Sequence, residues 1–388
     1  MTPRLAPPAA ACRLTVCIPA RDEAGLIGET LAALCAQRGF DGAALAGDSF
    51  DAIVLANNCR DATAAIARQF ARDAPIGIFV VEQRYAQHDA HIGTARRSVM
   101  DVAAERFIAA GRPEGIIASL DSDTRVDAHW VAAIMREMNG CDAVGGHVTI
   151  AEADQERLLA PVRLLYAREL AYRRVLADVE ALIDPQPHDP PPRHGSFVGA
   201  SFAVSAQCYR AAGGVPALRR LEDVAFSLAL RRIDAKVRHS TLVRATTSAR
   251  TGARVSGGFG TFIAELDAHA RRGESFLVEH PLRSLEDLTI RAAIRRLREG
   301  RQRPDDIAAS AAILGLLPAA WLPLIDPAAP VGSLDEMIRR RARSTRRRYP
   351  QVRVEIAIDT LRHTLAGHAR HVLATPDVAA ELDSLDAG

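Results

Sequence analysis

Two periods of apolar residues alternate along the first 120 positions. Leu14 to Ile18 is a short apolar, β-branched run stopped by Pro19, and it predicts a buried strand. Over Ala24 to Gln37 the spacing changes, and Leu26, Ile27, Leu31 and Leu34 fall on one helical face. The alternation repeats: a strand over Phe50 to Ala56, a polar turn and a helix over Ala62 to Arg72, a strand over Gly77 to Val81, a helix over Gly93 to Ala110. A fourth strand of mixed apolar and small residues runs from Gly115 to Leu120. Strands that alternate with helices in this way predict an α/β class, a mostly parallel sheet covered by helices.

The pattern changes beyond that point. Asp154 to Ile183 reads as one long helix or two, with charged and apolar faces. The prolines among residues 184–194 forbid regular structure, so this stretch is expected to be a loop, free to move. Strand character returns at Phe197 to Ser205, a helix at Glu222 to Arg232 and an extended stretch at Val237 to Arg244. From about residue 261 the chain reads as helical. The expected organisation is a disordered tail over 1–12, an α/β domain over 13–260 and a helical region over 261–388.

Composition narrows the class. With 48% hydrophobic and 25% charged residues, the chain is ordinary for a globular protein. A formal charge of +2 supplies no field to draw it towards nucleic acid. The six cysteines lack C-x-x-C spacing and read as small buried apolar residues, and no basic, then apolar, leader opens the chain. A reducing cytoplasm is expected, with contact at the inner membrane face left open. Ile307 to Ile325 is uncharged and largely apolar, but Pro318 and Pro323 break it and no basic flank anchors it. Two short buried or membrane-facing helices are expected there. The arginine-rich run from Arg339 to Arg348 reads as a solvated helix face.

Asp121-Ser122-Asp123 carries the most chemistry. It follows the fourth strand, and carboxylates at such a strand end project into the crevice where open α/β sheets bind ligands. Their oxygens are hard ligands that suit Mg²⁺ or Mn²⁺. A cation held there neutralises charge on a leaving diphosphate.

Four motifs line up in order: Pro19-Ala20-Arg21-Asp22-Glu23, then Asn57-Asn58-Cys59-Arg60-Asp61, then Asp121-Ser122-Asp123-Thr124, then Gly199-Ala200-Ser201 leading through Gly213-Gly214 to Glu222-Asp223. In this order and spacing the chain resembles the family 2 glycosyltransferases of the GT-A fold over roughly residues 13 to 255. The resemblance implies a Rossmann-like fold and inverting transfer from a UDP- or GDP-linked sugar to a saccharide, lipid or small-molecule acceptor. It places Pro19, Ala20, Arg21 and Glu23 at the base and ribose, and Asn57 at the base. It puts Arg96 and Arg250 at the diphosphate, Asp121 and Ser122 beside the nucleotide sugar, and Asp123 on the metal with Asp121. In the family a carboxylate like Asp223 takes the acceptor proton, and Glu222 positions it. Relatives commonly carry acids at the positions of Asn57 and Asn58, so the base is left open. The proline loop would act as a lid. A homodimer is left open, as are two other readings: a sugar-phosphate nucleotidylyltransferase, which lacks its glycine-rich basic first loop here, and a silent nucleotide-sugar-binding protein.

Overall fold

A computed structural model describes residues 5–248, 259–301, 304–341 and 348–373. The first stretch runs β1 (Leu14–Ala20), α1 (Ile27–Cys35), β2 (Phe50–Asn57), α2 (Thr63–Arg72), β3 (Gly77–Gln83), α3 (Ile92–Ala109), β4 (Ile116–Leu120), β5 (Thr124–Val126), α4 (Trp130–Glu137) and β6 (Ala143–Ile150). It continues with α5 (Glu152–Arg157), α6 (Ala160–Ile183), β7 (Ser201–Ser205), α7 (Ala206–Ala211), α8 (Glu222–Arg232) and β8 (Val237–Thr247). Then come α9 (Phe259–Arg271), β9 (Leu277–Val278), α10 (Pro281–Arg298), α11 (Pro304–Leu314), α12 (Pro318–Trp321), α13 (Val331–Arg341), β10 (Val352–Arg353) and α14 (Val354–Leu373).

One eight-stranded sheet has the order β3-β2-β1-β4-β7-β6-β8-β5. The pairs β1–β2, β2–β3, β1–β4 and β6–β8 are parallel; β7 and β5 run antiparallel to their neighbours. Strand residues alternate between two cores. Val16, Ile18, Ala52 and Val54 pack with Leu31, Leu34 and Trp130, while Cys17, Ile53 and Leu55 pack with Val99, Phe107 and Phe226. Both faces are therefore buried, which is why β1 and β2 read as continuous apolar runs. The chain steps outward from β1 to β2 and β3, then α3 carries it back so that β4 joins the other edge of β1. Strand order reverses there, and the carboxyl ends of β1 and β4 flank the resulting crevice.

Several expectations need correction. The tail is not loose from residue 5 on. Arg106 Nε donates to the Ala6 carbonyl at 2.7 Å, and the Arg112 guanidinium donates to the carbonyls of Pro8, Ala9, Ala10 and Cys12. Strand β6 had no counterpart in the sequence reading, because Gly145 and Gly146 dilute its pattern. They serve close approach: a Cβ on Gly145 would lie 2.9 Å from the Ser196 carbonyl, and one on Gly146 would lie 2.2 Å from Ser201 Oγ. Helix α4 was also unread; its Trp130 is fully buried and donates Nε1–H to Ser201 Oγ at 2.9 Å.

The boundary at 260 does not divide the chain as expected. Contacts separate one unit of 1–160, 192–267 and 330–333 from a second of 161–191, 268–329 and 334–388. In the second unit Asp184 accepts from Arg291 Nε at 2.7 Å and from Arg295 Nε at 3.0 Å, and Arg291 also bonds Glu180. In the first unit Arg238 donates to the Pro192 carbonyl at 3.1 Å. The proline loop is thus tied at each end, with Asp184 and Asp189 buried. Residues 307–325 fold as α11, α12 and a 3-10 turn over Leu322–Leu324, and among the described residues no helix is long and apolar enough to cross a membrane. Of the arginine-rich run, Arg339 is held by Asp287 and Asp335, Arg340 and Arg341 are exposed, and 342–347 lie outside the described residues.

Candidate active site

The site builds up around Arg96, on the first turns of α3. Its side chain is 2% exposed. Nη2 donates to Asp121 Oδ1 at 2.8 Å, Nε to Glu222 Oε1 at 3.2 Å, and Nη1 to both Ser119 Oγ and the Gly199 carbonyl, the latter at 2.8 Å. One guanidinium therefore joins the end of β4, the turn before β7 and the start of α8. Gly199 must be glycine here, since a Cβ would lie 2.6 Å from Arg96 Nη2. Burial alone would lower the pKa of Arg96, but Asp121 and then Glu222 raise it above the ordinary guanidinium value. Burial pushes the Glu222 carboxyl above the ordinary carboxylate value; Arg96 offsets part of this and Asp223 adds to it.

Asp223 is adjacent and half-buried. Its Oδ2 accepts from the Gly199 N–H and its Oδ1 from the Val224 N–H, both at 2.8 Å. Two backbone donors orient this carboxylate, while each oxygen keeps a second lone pair. Leu221, just before α8, has φ of 56°, the left-handed region unusual for a branched side chain.

The acidic strand end is equally defined. Asp121 is a third exposed, at 33%. Ser122 is buried, and its carbonyl accepts from Thr30 Oγ1 at 2.9 Å. Thr247 Oγ1 on β8 lies 3.5 Å from Asp123 Oδ1. Asp121 and Asp123 are two hard donors, enough to seat Mg²⁺ or Mn²⁺ when diphosphate oxygens and water complete the shell. Asp121 Oδ1 is already engaged by Arg96.

The β1 and β2 turns are laced together. Asp22, with φ of 53°, donates its N–H to Cys59 Sγ at 3.4 Å and accepts from the Arg60 N–H at 2.6 Å. The Glu23 N–H donates to Thr63 Oγ1 at 2.8 Å, and the Ala24 N–H to Asp61 Oδ2 at 3.0 Å. Asp22, Cys59 and Asp61 have ligand atoms within 4.8 Å of one another, but these contacts already give them structural work. Pro19 and Ala20 are buried at the end of β1, and Arg21 Nη1 donates to the Ala90 carbonyl at 2.7 Å. The two asparagines part company. Asn58 is a clamp, exchanging two 2.9 Å bonds with the Tyr85 backbone. Asn57 is 2% exposed and its Oδ1 has no hydrogen-bond partner. An orphaned buried acceptor costs about 1–3 kcal/mol, so a ligand N–H delivered there would be rewarded.

The sequence-predicted residues thus meet in part. Asp121, Glu222 and Asp223 converge on Arg96 and Gly199. Arg96 itself is corrected from a diphosphate ligand to an internal clamp, because its donors are spent on protein and it is buried. Arg250 lies outside the described residues. Ser119 and Thr247 had gone unread, since a lone hydroxyl on a strand carries no local signal and their partners are distant in sequence. A groove of about 420 Å³ in the second unit, lined by Leu165, Arg168, Glu274, Ser275 and Glu355 among others, holds an Arg168–Glu355 ion pair.

Residues 15–173 match the family model described as Glycosyl transferase family 2. No curated protein matches the chain. Among solved structures, the chain is similar to the mannosyltransferase PcManGT from Pyrobaculum calidifontis in complex with GDP-Man and Mn2+, at 15% identity over 96% of this chain and 84% of that one, TM-score 0.42. It is also similar to S. aureus TarS 1-349 in complex with UDP-GlcNAc, at 12% identity over 87% of this chain and 93% of that one, TM-score 0.44.

Proposed function

We propose, from the match of residues 15–173 to the model described as Glycosyl transferase family 2, that the chain moves a sugar from a nucleotide-diphosphate sugar to a hydroxyl or amine acceptor, with inversion at the anomeric carbon. The observation that carries the reading in detail is the meeting of the β4 acids and the α8 acids at one buried guanidinium. Donor and acceptor chemistry need those two clusters side by side.

In this reading Asp223 accepts the acceptor proton as attack proceeds, because a sugar hydroxyl is a poor nucleophile until that proton is taken. Glu222, buried against Arg96, fixes the start of α8 beside it. Asp123, with Asp121, holds Mn²⁺ or Mg²⁺, which when bound offsets charge on the leaving diphosphate. Asn57 Oδ1 accepts the ring N–H of the base. Uracil and guanine both present one, so this contact fits either a UDP- or a GDP-linked donor. Pro19, Ala20, Arg21, Glu23 and Ser122 surround the nucleoside.

A thermal-shift panel of nucleotide diphosphates and nucleotide sugars, with and without Mn²⁺, tests the binding half. A ligand at about a hundredfold its Kd stabilises by about 2.7 kcal/mol and raises the melting point. The expected result is a shift that needs Mn²⁺ and disappears in Asp123→Ala. The catalytic half is tested by turnover: Asp223→Asn should lower kcat by about 10²–10⁴-fold while leaving the donor shift intact. Equal turnover in the variant would rule Asp223 out as the base.

A further inference from the structure

We propose that the outward face of α8, with the turn leading into it, docks on an anionic lipid surface. The inward positions Glu222, Phe226, Ala229 and Leu230 are buried. Helical spacing puts Leu221, Val224 and Leu228 together on the opposite side. An ordinary surface helix is polar there. Here Leu221 is 59% exposed, Val224 44% and Leu228 43%, and Leu218 in the preceding turn is 46% exposed. Single exposed leucines are common, but a stripe running along one face marks an interaction site. Leu221 also sits in the left-handed region, so the fold holds a branched apolar side chain out in the open at a strained position.

The charges around the stripe indicate its partner. Arg219 and Arg220 are exposed beside it. Between 217 and 232 the only acids are Glu222, buried on Arg96, and Asp223, whose oxygens accept backbone N–H groups. An apolar strip fringed by arginine is the chemistry of a segment lying in the interface of an anionic bilayer. The docked face starts one residue from Glu222 and two from Asp223. The acceptor would then be a hydroxyl borne by a lipid. That consequence rests on the reading of Asp223 as the base; the docking itself does not.

The test is sedimentation of the full chain with phosphatidylcholine vesicles, with and without phosphatidylglycerol. The wild type should partition onto the mixed vesicles, and added salt should weaken this. Leu221→Asn combined with Val224→Ser and Leu228→Ser should lower the partition coefficient about tenfold or more, and Arg219→Glu with Arg220→Glu should do likewise. Both variants should keep the wild-type melting point and nucleotide-diphosphate shift. Wild type that stays in the supernatant, or a triple variant that sediments like wild type, overturns the proposal. So does sedimentation velocity showing a dimer that the triple variant dissociates, because a second copy would then be the occupant. Nucleotide-sugar turnover without vesicle binding would sink the docking alone. Vesicle binding without any turnover would sink the transferase reading alone.

Discussion

Arg96 holds two carboxylates that would otherwise repel one another in a buried site. Breaking a buried pair costs about 3–5 kcal/mol because the remaining charge is stranded. Arg96→Met should therefore lower unfolding stability by that order in urea titrations. Arg96→Lys should recover little, since an ammonium cannot fork to Asp121, Glu222 and Gly199 together. Glu222 gives a pH signature. Its pKa is raised on folding, so the folded chain binds that proton more readily than the unfolded one. The resulting stability is fully present below the ordinary carboxylate value and is lost as pH rises through the folded value. Melting curves of wild type and Glu222→Gln between about pH 4 and pH 7 should diverge, with the variant falling less steeply. Parallel curves would mean that Arg96 cancels the burial cost. Motif order made Asp121, Glu222 and Asp223 readable from the chain, whereas Arg96 was readable as an important arginine but not as a buried one. Exposure depends on partners 25 and 126 residues away.

At the level of elements, the approach of the 216–221 turn to α3 sets where α8 begins. A Cβ on Gly93 would lie 2.1 Å from the Leu218 carbonyl, and backbone cannot step aside as a flexible side chain can. Gly93→Ala should cost about 1–3 kcal/mol of stability, as overpacking does. It should also raise the kinetic penalty beyond what that loss explains, because the segment carrying Glu222 and Asp223 is displaced. Denaturant titration beside kcat measured well below the transition checks both. Strands β1 to β4 could be read because burial on both faces leaves uninterrupted apolar runs. Strand β6 could not, because its glycines answer to Ser196 and Ser201 and not to the local pattern.

For the whole molecule, the interleaving of segments matters most. Residues 161–191 fall in the second unit, where Asp184 and Glu180 are neutralised by Arg291 and Arg295. A fragment ending at residue 260 keeps the buried Asp184 carboxylate and removes both arginines. It should lose α6 helicity and aggregate, seen as reduced far-UV circular dichroism and early elution in gel filtration. A monomeric fragment with full helicity would show that α6 stands without those pairs. Arg291→Ala in the full chain should be destabilising in the same sense, by about 3–5 kcal/mol.

The sequence by itself determined the α/β alternation, the order of the motifs and the hard-ligand character of the strand end. Each of these follows from local spacing and side-chain chemistry. Only the tertiary structure decided that Arg96 is a clamp, that Asn58 is structural while Asn57 keeps an unfilled acceptor, that the proline loop is anchored, and that α8 turns leucines outward. Those outcomes depend on which distant groups meet, and on which face of a helix the rest of the chain happens to cover.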